Sequence, residues 1–186
     1  FQLNAQRKEL EFARRDEERL ATLLSSISKS APARSNNSRL PPPDEKSVRQ
    51  DQDSTFSSLK GRLRVPVKGK LVYRYGAPRA GGGPDWKGIF LRSANGADVK
   101  VVAAGRVVFA DWMRGFGNLI IVDHGSDYLS IYGNNQALLR DVGDEVHAGD
   151  AIALTGASGG SQETGLYFEL RHEGKAFDPE KWVNLR

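Results

Sequence analysis

The 186-residue sequence contains no cysteine and no long apolar run. The absence of cysteine excludes a disulfide framework and any metal site built from thiolates, although it does not identify the compartment. Because no segment is apolar over the length that a membrane helix needs, and no signal peptide is recognisable, we expect a soluble segment. The sequence starts at Phe1 without an initiator methionine, so we interpret it as a piece of a longer protein.

Charge provides a weak indication of the partner. The formal net charge is +4, which favours an anionic neighbour such as a membrane surface, a cell-wall polymer, nucleic acid or an acidic protein face. Ordinary solubilising charge explains so small an excess equally well. The basic residues are scattered and adjoin no nucleic-acid-binding motif, so we do not expect a nucleic-acid partner.

Residues 1–30 are predicted to form a charged helix. Apolar side chains recur at two heptad positions: Leu3, Leu10 and Leu24 at one, and Ala13, Leu20 and Ile27 at the other. Gln6 and Glu17 interrupt this seam. The pattern is typical of the end of a coiled coil, and equally of a single amphipathic helix that lies on the following domain. Four heptads do not separate these two interpretations.

The next segment is a linker. From Ser28 to Pro43 the composition shifts to Ser, Asn, Ala and Pro, which predicts an extended connection stiffened at its end. A short helix is expected to follow, with Phe56 and Leu59 on its apolar side, and it must dock because it is too short to be stable alone. The chain therefore divides into a helix, a Pro- and Ser-rich linker with a short helix, and a β domain: 1–30, 31–60 and 61–186.

After Gly61 the sequence changes to short Val-, Ile- and aromatic-rich runs separated by Gly and Pro. Strands are predicted near 71–75, 88–92, 99–102, 105–111, 118–123, 127–133, 151–155 and 165–172. Short connections between them favour antiparallel neighbours. The predicted fold class is therefore mainly β, a compact antiparallel sheet domain with an N-terminal helical segment.

The run from Thr164 to Arg171 alternates strictly between apolar and other residues. A period of two is typical of a half-buried strand, because successive side chains leave opposite faces of the sheet. Leu166, Phe168 and Leu170 should face the core. The opposite face should carry Gly165, Tyr167, Glu169 and Arg171, free for chemistry or recognition.

Six short motifs follow one another along the β domain: Trp86-Lys87-Gly88-Ile89-Phe90, Val102-Ala103-Ala104-Gly105-Arg106-Val107, Gly115-Phe116-Gly117-Asn118, Asp123-His124-Gly125, Leu129-Ser130-Ile131-Tyr132-Gly133-Asn134 and Val142-Gly143-Asp144-Glu145-Val146-His147-Ala148-Gly149-Asp150. With them, the segment from about Lys70 to Pro179 resembles the LytM-type, lysostaphin-like zinc endopeptidase domain. Enzymes of that family cut peptidoglycan cross-bridges. The resemblance implies a lysostaphin-like β fold.

The metal site of that family is missing from this sequence. The resemblance implies zinc held by a His-x-x-x-Asp pair and by the second His of a His-x-His pair, with two further histidines assisting. The corresponding positions here are Trp86, Phe90, Asn134, Gly165 and Tyr167. Since none of these can supply the imidazole and carboxylate set, we expect no zinc, no cofactor and no peptidase activity.

The three histidines that are present do not replace the site. By the resemblance, His124 lies where family members often carry a histidine that is not a ligand. His147 lies in a turn, and His172 is one residue off the outward-facing set of its strand. We expect each to be a surface or structural residue. No serine, histidine and acid share a recognisable catalytic motif either. We therefore interpret the domain as catalytically inactive.

The emptied groove is predicted to bind a partner. Alternation in the strand near 88–92 places Phe90 and Arg92 outward, and in the strand near 127–133 it places Leu129 and Ile131 inward and Tyr132 outward. Aromatic and arginine side chains are enriched at protein–protein hot spots. The alternative, in which Trp86 and Phe90 fill the vacated metal cavity as core, stays open. The predicted groove residues are Trp86, Lys87, Phe90, Arg92, Phe116, Tyr132, Asn134, Tyr167, Glu169 and Arg171.

Within the family, a coiled-coil end, a linker and a LytM-type domain without ligands resemble the non-catalytic activators. The resemblance implies a periplasmic protein that activates N-acetylmuramoyl-L-alanine amidases in septal peptidoglycan splitting during cell division. It also implies that an FtsEX-type membrane complex acts on the coiled coil. We hypothesise that the segment 44–60 blocks the groove until it is pulled away. A non-catalytic peptidoglycan-binding module is the alternative, and an active zinc endopeptidase is less favoured.

Overall fold

The computed structural model describes residues 2–30, 56–79, 83–160 and 162–185. Its elements in chain order are α1 (Gln2–Ser30), β1 (Leu63–Arg64), β2 (Lys70–Tyr73), β3 (Ile89–Arg92), β4 (Asp98–Lys100), β5 (Gly105–Met113), β6 (Gly117–Asp123), β7 (Tyr128–Leu138), β8 (Glu145–Val146), β9 (Ala151–Thr155), β10 (Gly165–His172), β11 (Lys175–Phe177) and β12 (Val183–Asn184), with a 3-10 turn at Pro179–Lys181. All eight predicted strands are present; β9 and β10 have the predicted bounds and the other six have shifted ends. The strands that the sequence did not predict have two or three residues each, too few to show a period.

One sheet contains ten of the strands. Seven follow one another across it in the order β2-β3-β10-β7-β6-β5-β8. The other three lie off this path: β11 pairs with β10, β9 pairs with β7, and β4 pairs with β9. Every pairing in this sheet is antiparallel. The predicted class, mainly antiparallel β with an N-terminal helix, is confirmed. β1 and β12 form a separate parallel pair that joins the start of the β domain to its end.

Apolar side chains cover both faces of the central strands. The main core includes Leu166, Phe168 and Leu170, so the predicted inward set of β10 is confirmed. A second group, which we call the helix-facing cluster, lies on the opposite face under α1: Leu20, Leu24, Phe90, Phe116, Leu119, Ile121, Ile131 and Tyr167. The sheet is therefore buried on both sides rather than on one.

The second half of α1 lies on the sheet. Leu20 is 0% exposed and Leu24 4%, whereas Leu3 near the start of the helix is 64% exposed. Burial of two leucines contributes about 3–6 kcal/mol to this docking. The contact corresponds to the second interpretation of the heptads, an amphipathic helix on the domain. Within the described residues, no helix combines the length and apolar character needed to cross a membrane.

The predicted orientation of β7 is wrong. Tyr132 lies opposite Phe168 in the ladder and belongs to the main core, with its ring 5.3 Å from that of Phe168. Its hydroxyl accepts a hydrogen bond from the backbone N–H of Val102 at 3.1 Å. Ile131, predicted to face the main core, belongs instead to the helix-facing cluster. Because apolar layers cover both faces, the apolar pattern of this strand did not determine its orientation.

Phe56 and Leu59 also lie away from their predicted place. Both contact the main core, and the Phe56 ring stacks on His124 at 4.7 Å and on Trp182 at 5.5 Å. These two residues motivated the hypothesis that segment 44–60 blocks the groove, and both of them contact the main core instead of the groove. Residues 31–55, which include the rest of that segment, lie outside the described residues.

His124 is a structural residue of the main core. Its Nδ1 donates to the carbonyl oxygen of Ala104 at 2.8 Å, so its Nε2 accepts from the Ser130 hydroxyl at 2.6 Å. Burial lowers the pKa of His124 to about 4, against the opposing effect of the Ala104 carbonyl. The imidazole is therefore neutral at physiological pH.

The stability of the domain should fall as the pH drops from about 6.5 towards 4. The unfolded chain binds a proton at His124 with an ordinary pKa, whereas the folded chain resists it, so acid favours unfolding by about 3 kcal/mol from this group. Urea unfolding across this pH range measures the slope. His124→Gln should flatten it, while His147→Gln, at an exposed position, should not. Equal slopes for the His124→Gln variant and the parent would contradict the assignment.

Candidate functional site

Three side chains of β10 meet beneath α1. Tyr167, Glu169 and Arg171 share the face predicted for them, but they are 6%, 0% and 7% exposed rather than open to solvent. Alternation places them on one face, and α1 then covers that face. The predicted open groove is therefore occupied in this conformation by a segment of the same chain.

Aromatic rings form the groove around Tyr167. The Phe116 ring, from the turn between β5 and β6, lies 5.8 Å from it, and the Trp86 ring lies 6.0 Å from it. Trp86 stacks on Tyr73 at 4.7 Å, and the Arg79 guanidinium lies 4.5 Å from the Trp86 ring centre. Phe90 on β3 is 2% exposed and contributes to the helix-facing cluster.

Glu169 is the acceptor of a buried polar network. Its carboxylate accepts from the Tyr167 hydroxyl at 2.6 Å and from Arg171 Nε at 2.6 Å. Burial, and next the negative charge of Glu169, raise the pKa of Tyr167 well above its ordinary value, so this phenol remains a hydrogen-bond donor. Burial opposes the charge on Arg171, yet the pKa of Arg171 is raised because Glu169 lies beside it.

Glu17 connects α1 to this network. Its carboxylate lies 3.0 Å from Arg79 and 3.9 Å from Arg171. Together with Glu169 it forms a partly buried group of two acids and two arginines. Such a network favours one orientation of the helix on the sheet, because any other orientation would leave a buried charge unpaired. Glu17 therefore fixes the helix on the groove in one register.

The pKa of Glu17 is raised, first by burial and next by Glu169, and these effects outweigh the attraction of Arg79, Arg171 and Lys87. The docked carboxyl thus binds a proton more tightly than the free one. Docking of α1 should strengthen as the pH falls through the raised pKa towards the ordinary value of 4.5. Hydrogen exchange of the amides in the second half of α1, corrected for the intrinsic pH effect, should therefore be slower at low pH than at neutral pH. Glu17→Gln should remove this dependence, and Glu11→Gln, at an exposed position of α1, should keep it. An unchanged dependence in Glu17→Gln would contradict the assignment.

Asn134 is a structural residue at an irregular position of β7. It adopts φ +66°, and its backbone N–H donates to the Phe116 carbonyl at 2.6 Å. Its Nδ2 donates to the Gly156 carbonyl at 2.8 Å, and its Oδ1 accepts from the Gly159 N–H at 2.9 Å. Since Asn134 is 3% exposed, its amide holds these segments together rather than facing the groove.

The remaining predicted groove residues lie at its edges. Lys87 is half-buried and lines a cavity of about 450 Å³ between α1 and the sheet, together with Glu17 and Arg171. Arg92 is exposed and pairs with Glu163. Tyr132, on the other face, does not reach the groove. The structure thus brings Trp86, Lys87, Phe90, Phe116, Tyr167, Glu169 and Arg171 together.

The residues at the family's metal positions do not fit zinc. Trp86 and Phe90 have no atom that could coordinate the metal. The side-chain amide of Asn134 is already hydrogen-bonded to the backbone of Gly156 and Gly159. A side chain at Gly165 would collide with the carbonyl oxygen of Leu91. In the described ranges, no three His, Cys, Asp or Glu side chains are grouped so that they could hold a metal ion.

Sequence reasoning missed the residues that α1 supplies. Glu17 was recognised only as an interruption of the apolar seam, although a charge inside a buried stripe is a signal of a paired contact. Arg79 was not singled out, because it lies in a connection without a period. The ion pair between Glu17 and Arg79 joins residues 62 positions apart in the sequence, and no local pattern predicts such a pair.

Relatives were found for most of the chain. Residues 84–179 match Peptidase family M23. The chain is 40% identical over 143 residues to murein hydrolase activator EnvC of Escherichia coli (strain K12), covering 77% of this chain and 34% of that protein. It is 40% identical over 124 residues to murein hydrolase activator NlpD of the same strain, covering 66% of this chain and 31% of that protein. The chain thus spans about a third of the length of these relatives.

Among solved structures, the catalytic domain of lysostaphin from Staphylococcus simulans is similar at 30% identity and a TM-score of 0.54, covering 60% of this chain and 89% of that domain. The segment that matches the family runs from just before β3 to the end of β11 and contains all six motifs. The predicted resemblance to the LytM-type, lysostaphin-like domain is confirmed. The chain belongs to Peptidase family M23.

Proposed function

We propose that this chain is a non-catalytic activator of a peptidoglycan amidase, an N-acetylmuramoyl-L-alanine amidase that splits septal peptidoglycan during cell division. One observation carries the proposal: at the family's metal positions there is a groove of aromatic and charged side chains with no zinc ligand set. Two relatives at 40% identity are named murein hydrolase activators. An activator needs a surface for its enzyme, and the groove supplies one.

The groove has the composition of a protein-binding surface. Tyr167, Trp86 and Phe116 offer large rigid rings, and Arg171 offers a guanidinium held in place by Glu169. Its present occupant is an amphipathic helix anchored by Glu17, Leu20 and Leu24, at the spacing of one helix face. An exposed helix of the amidase is therefore the kind of partner segment that the groove fits.

The same occupant supports regulation by occlusion. α1 and an amidase helix cannot contact Tyr167 and Arg171 together, so binding of one excludes the other. The partner shifts the chain towards the open state only by the difference in its affinity for the two states. A pull on α1 by an FtsEX-type membrane complex would release the groove. In this mechanism α1 takes the blocking role that the sequence assigned to segment 44–60.

The proposed location is the periplasm. Besides the two activators, the chain is 39% identical over 119 residues to outer membrane antigenic lipoprotein B of Haemophilus influenzae, whose name places it in the cell envelope. An amidase acting on peptidoglycan meets its activator in the same compartment. The proposed partners are thus the amidase, which binds the groove, and an FtsEX-type membrane complex, which acts on α1.

Release of dye from labelled sacculi tests the proposal. Purified amidase alone, the chain alone and the mixture are compared. The mixture should release more dye than the amidase alone, and the chain alone should release none. Absence of stimulation both by the chain and by a variant freed of α1 docking, with Leu20 and Leu24 replaced by aspartate, would contradict the proposal. Chelator-sensitive release by the chain alone would instead favour the zinc endopeptidase.

A further inference from the structure

A cavity of about 490 Å³ lies near the β10–β11 hairpin, on the far side of Tyr75 and Lys175 from α1. No residue of α1 lines it, so it is separate from the groove described above. Five aromatic side chains form its wall: Tyr75, Tyr128, His172, Phe177 and Trp182. All but Trp182 are half-buried, which leaves part of each ring accessible to a ligand.

The rings of this wall are held in place by one another. Tyr128 and His172 stack with their centres 4.0 Å apart, and Phe177 lies 5.1 Å from Trp182. The Tyr75 hydroxyl donates to the carbonyl oxygen of Ala176 at 3.1 Å. A wall preorganised in this way binds a flat or ring-shaped apolar surface without loss of its own side-chain freedom.

Cationic side chains surround the aromatic wall. Lys60, Lys175 and Lys181 line the cavity, and all three are exposed. Among the residues that the structure describes, none of the three lies within ion-pair distance of a carboxylate. Of the two acids at the cavity, Asp178 already accepts the backbone N–H of Glu180 at 3.0 Å. Three lysines against two acids leave the cavity lining with one excess positive charge, which favours a ligand that carries a carboxylate.

We propose that this cavity binds an acidic glycopeptide of the cell wall, an amino sugar that carries a peptide with free carboxylates. The aromatic wall buries the apolar C–H face of the sugar, and the lysines pair with the peptide carboxylates. A neutral glycan would leave the lysines unused, and a simple acidic peptide would leave the rings unused. The site goes beyond amidase activation, because it would hold the chain on its polymer while the groove remains available.

The test uses the full chain and no amidase, so its result is independent of the proposed activator function. The probe is N-acetylmuramyl-L-alanyl-D-isoglutamine, titrated while the side-chain NMR signals of Tyr128 and His172 are followed. These signals should shift, whereas N,N′-diacetylchitobiose, a neutral disaccharide, should shift them much less. Equal shifts with the neutral sugar, or no shift with the acidic probe, would overturn the proposal.

Sedimentation with purified sacculi provides the matched mutational test. Replacing Lys175 and Lys181 together by glutamine should reduce the bound fraction at limiting sacculi by about five- to tenfold, as expected for two partly exposed ion pairs. The control replaces Lys68 and Lys100, exposed lysines that do not line the cavity, and should leave binding unchanged. An equal loss in both variants would mean that net charge alone attracts the chain, which would overturn the proposal.

Discussion

Replacing both Leu20 and Leu24 by aspartate is expected to raise amidase stimulation about tenfold or more at limiting chain concentration. Both leucines belong to α1 and are buried within the helix-facing cluster, and their docking contributes about 3–6 kcal/mol. Aspartate at these positions would also bury an unpaired carboxylate. The docked state is therefore disfavoured and the groove becomes available. We refer to this double substitution as the opened variant.

Two measurements separate release of α1 from damage to the fold. The main core lies on the other face of the sheet, so the opened variant should keep a cooperative thermal transition. Hydrogen exchange of the amides in the second half of α1 should accelerate, because the helix is no longer held against the sheet. Leu3→Asp, at a position 64% exposed, is the control and should change neither exchange nor stimulation. Accelerated exchange without increased stimulation would contradict occlusion by α1.

Much of the β domain could be predicted because its signals are local. In β10, strict alternation identified both the strand and the set Leu166, Phe168 and Leu170 that enters the main core. The six short motifs, taken in their order along the chain, led to the family. Such patterns depend on near neighbours in the sequence, and the antiparallel ladder keeps them close in space.

The faces of β7 could not be predicted for a physical reason. Alternation identifies the buried face of a strand only when the other face is exposed to solvent. In β7 the other face is covered by α1. Tyr132 was placed outward because alternation puts it on the face opposite Leu129 and Ile131, which were predicted to face the main core. In the structure Tyr132 is the one that enters the main core, where its hydroxyl accepts from the Val102 N–H. The left-handed conformation of Asn134 and a register shift between β6 and β7 add a further irregularity. Here the contact with α1 determines which side chains face the groove.

The candidate groove was predicted to be an exposed surface, whereas in the structure it is the contact surface between the sheet and α1. Trp86, Phe90 and Tyr167 were assigned to it because family ligands were missing there, and the structure does bring them together. The competing interpretation, that Phe90 is core, also describes its burial while α1 is docked. The two interpretations differ only in whether α1 leaves. For this reason, variants that release α1 carry more information about the site than a change in any single groove residue.

In the opened variant, Arg171→Ala is expected to lower amidase stimulation by about 30-fold or more, as removal of a central arginine anchor does at protein interfaces. Arg171 is 7% exposed under α1, and its guanidinium is oriented by Glu169 at 2.6 Å. Once α1 leaves, this oriented fork can pair with an acceptor on the partner. The measurement is dye release at several concentrations of the chain.

The loss must be distinguished from unfolding, because Arg171→Ala leaves Glu169 without its cation, and breaking such a pair costs about 3–5 kcal/mol. Tyr167→Ala in the opened variant removes a groove ring but keeps the Arg171–Glu169 pair, so it should lose stimulation with a smaller fall in melting temperature. Arg106→Ala, which removes an exposed pair with Glu145, is the control and should retain stimulation. If Tyr167→Ala remains folded and still stimulates the amidase fully, the partner does not bind this face of the sheet. If both groove variants fail while Arg106→Ala succeeds, the face that α1 covers is the face that the amidase needs.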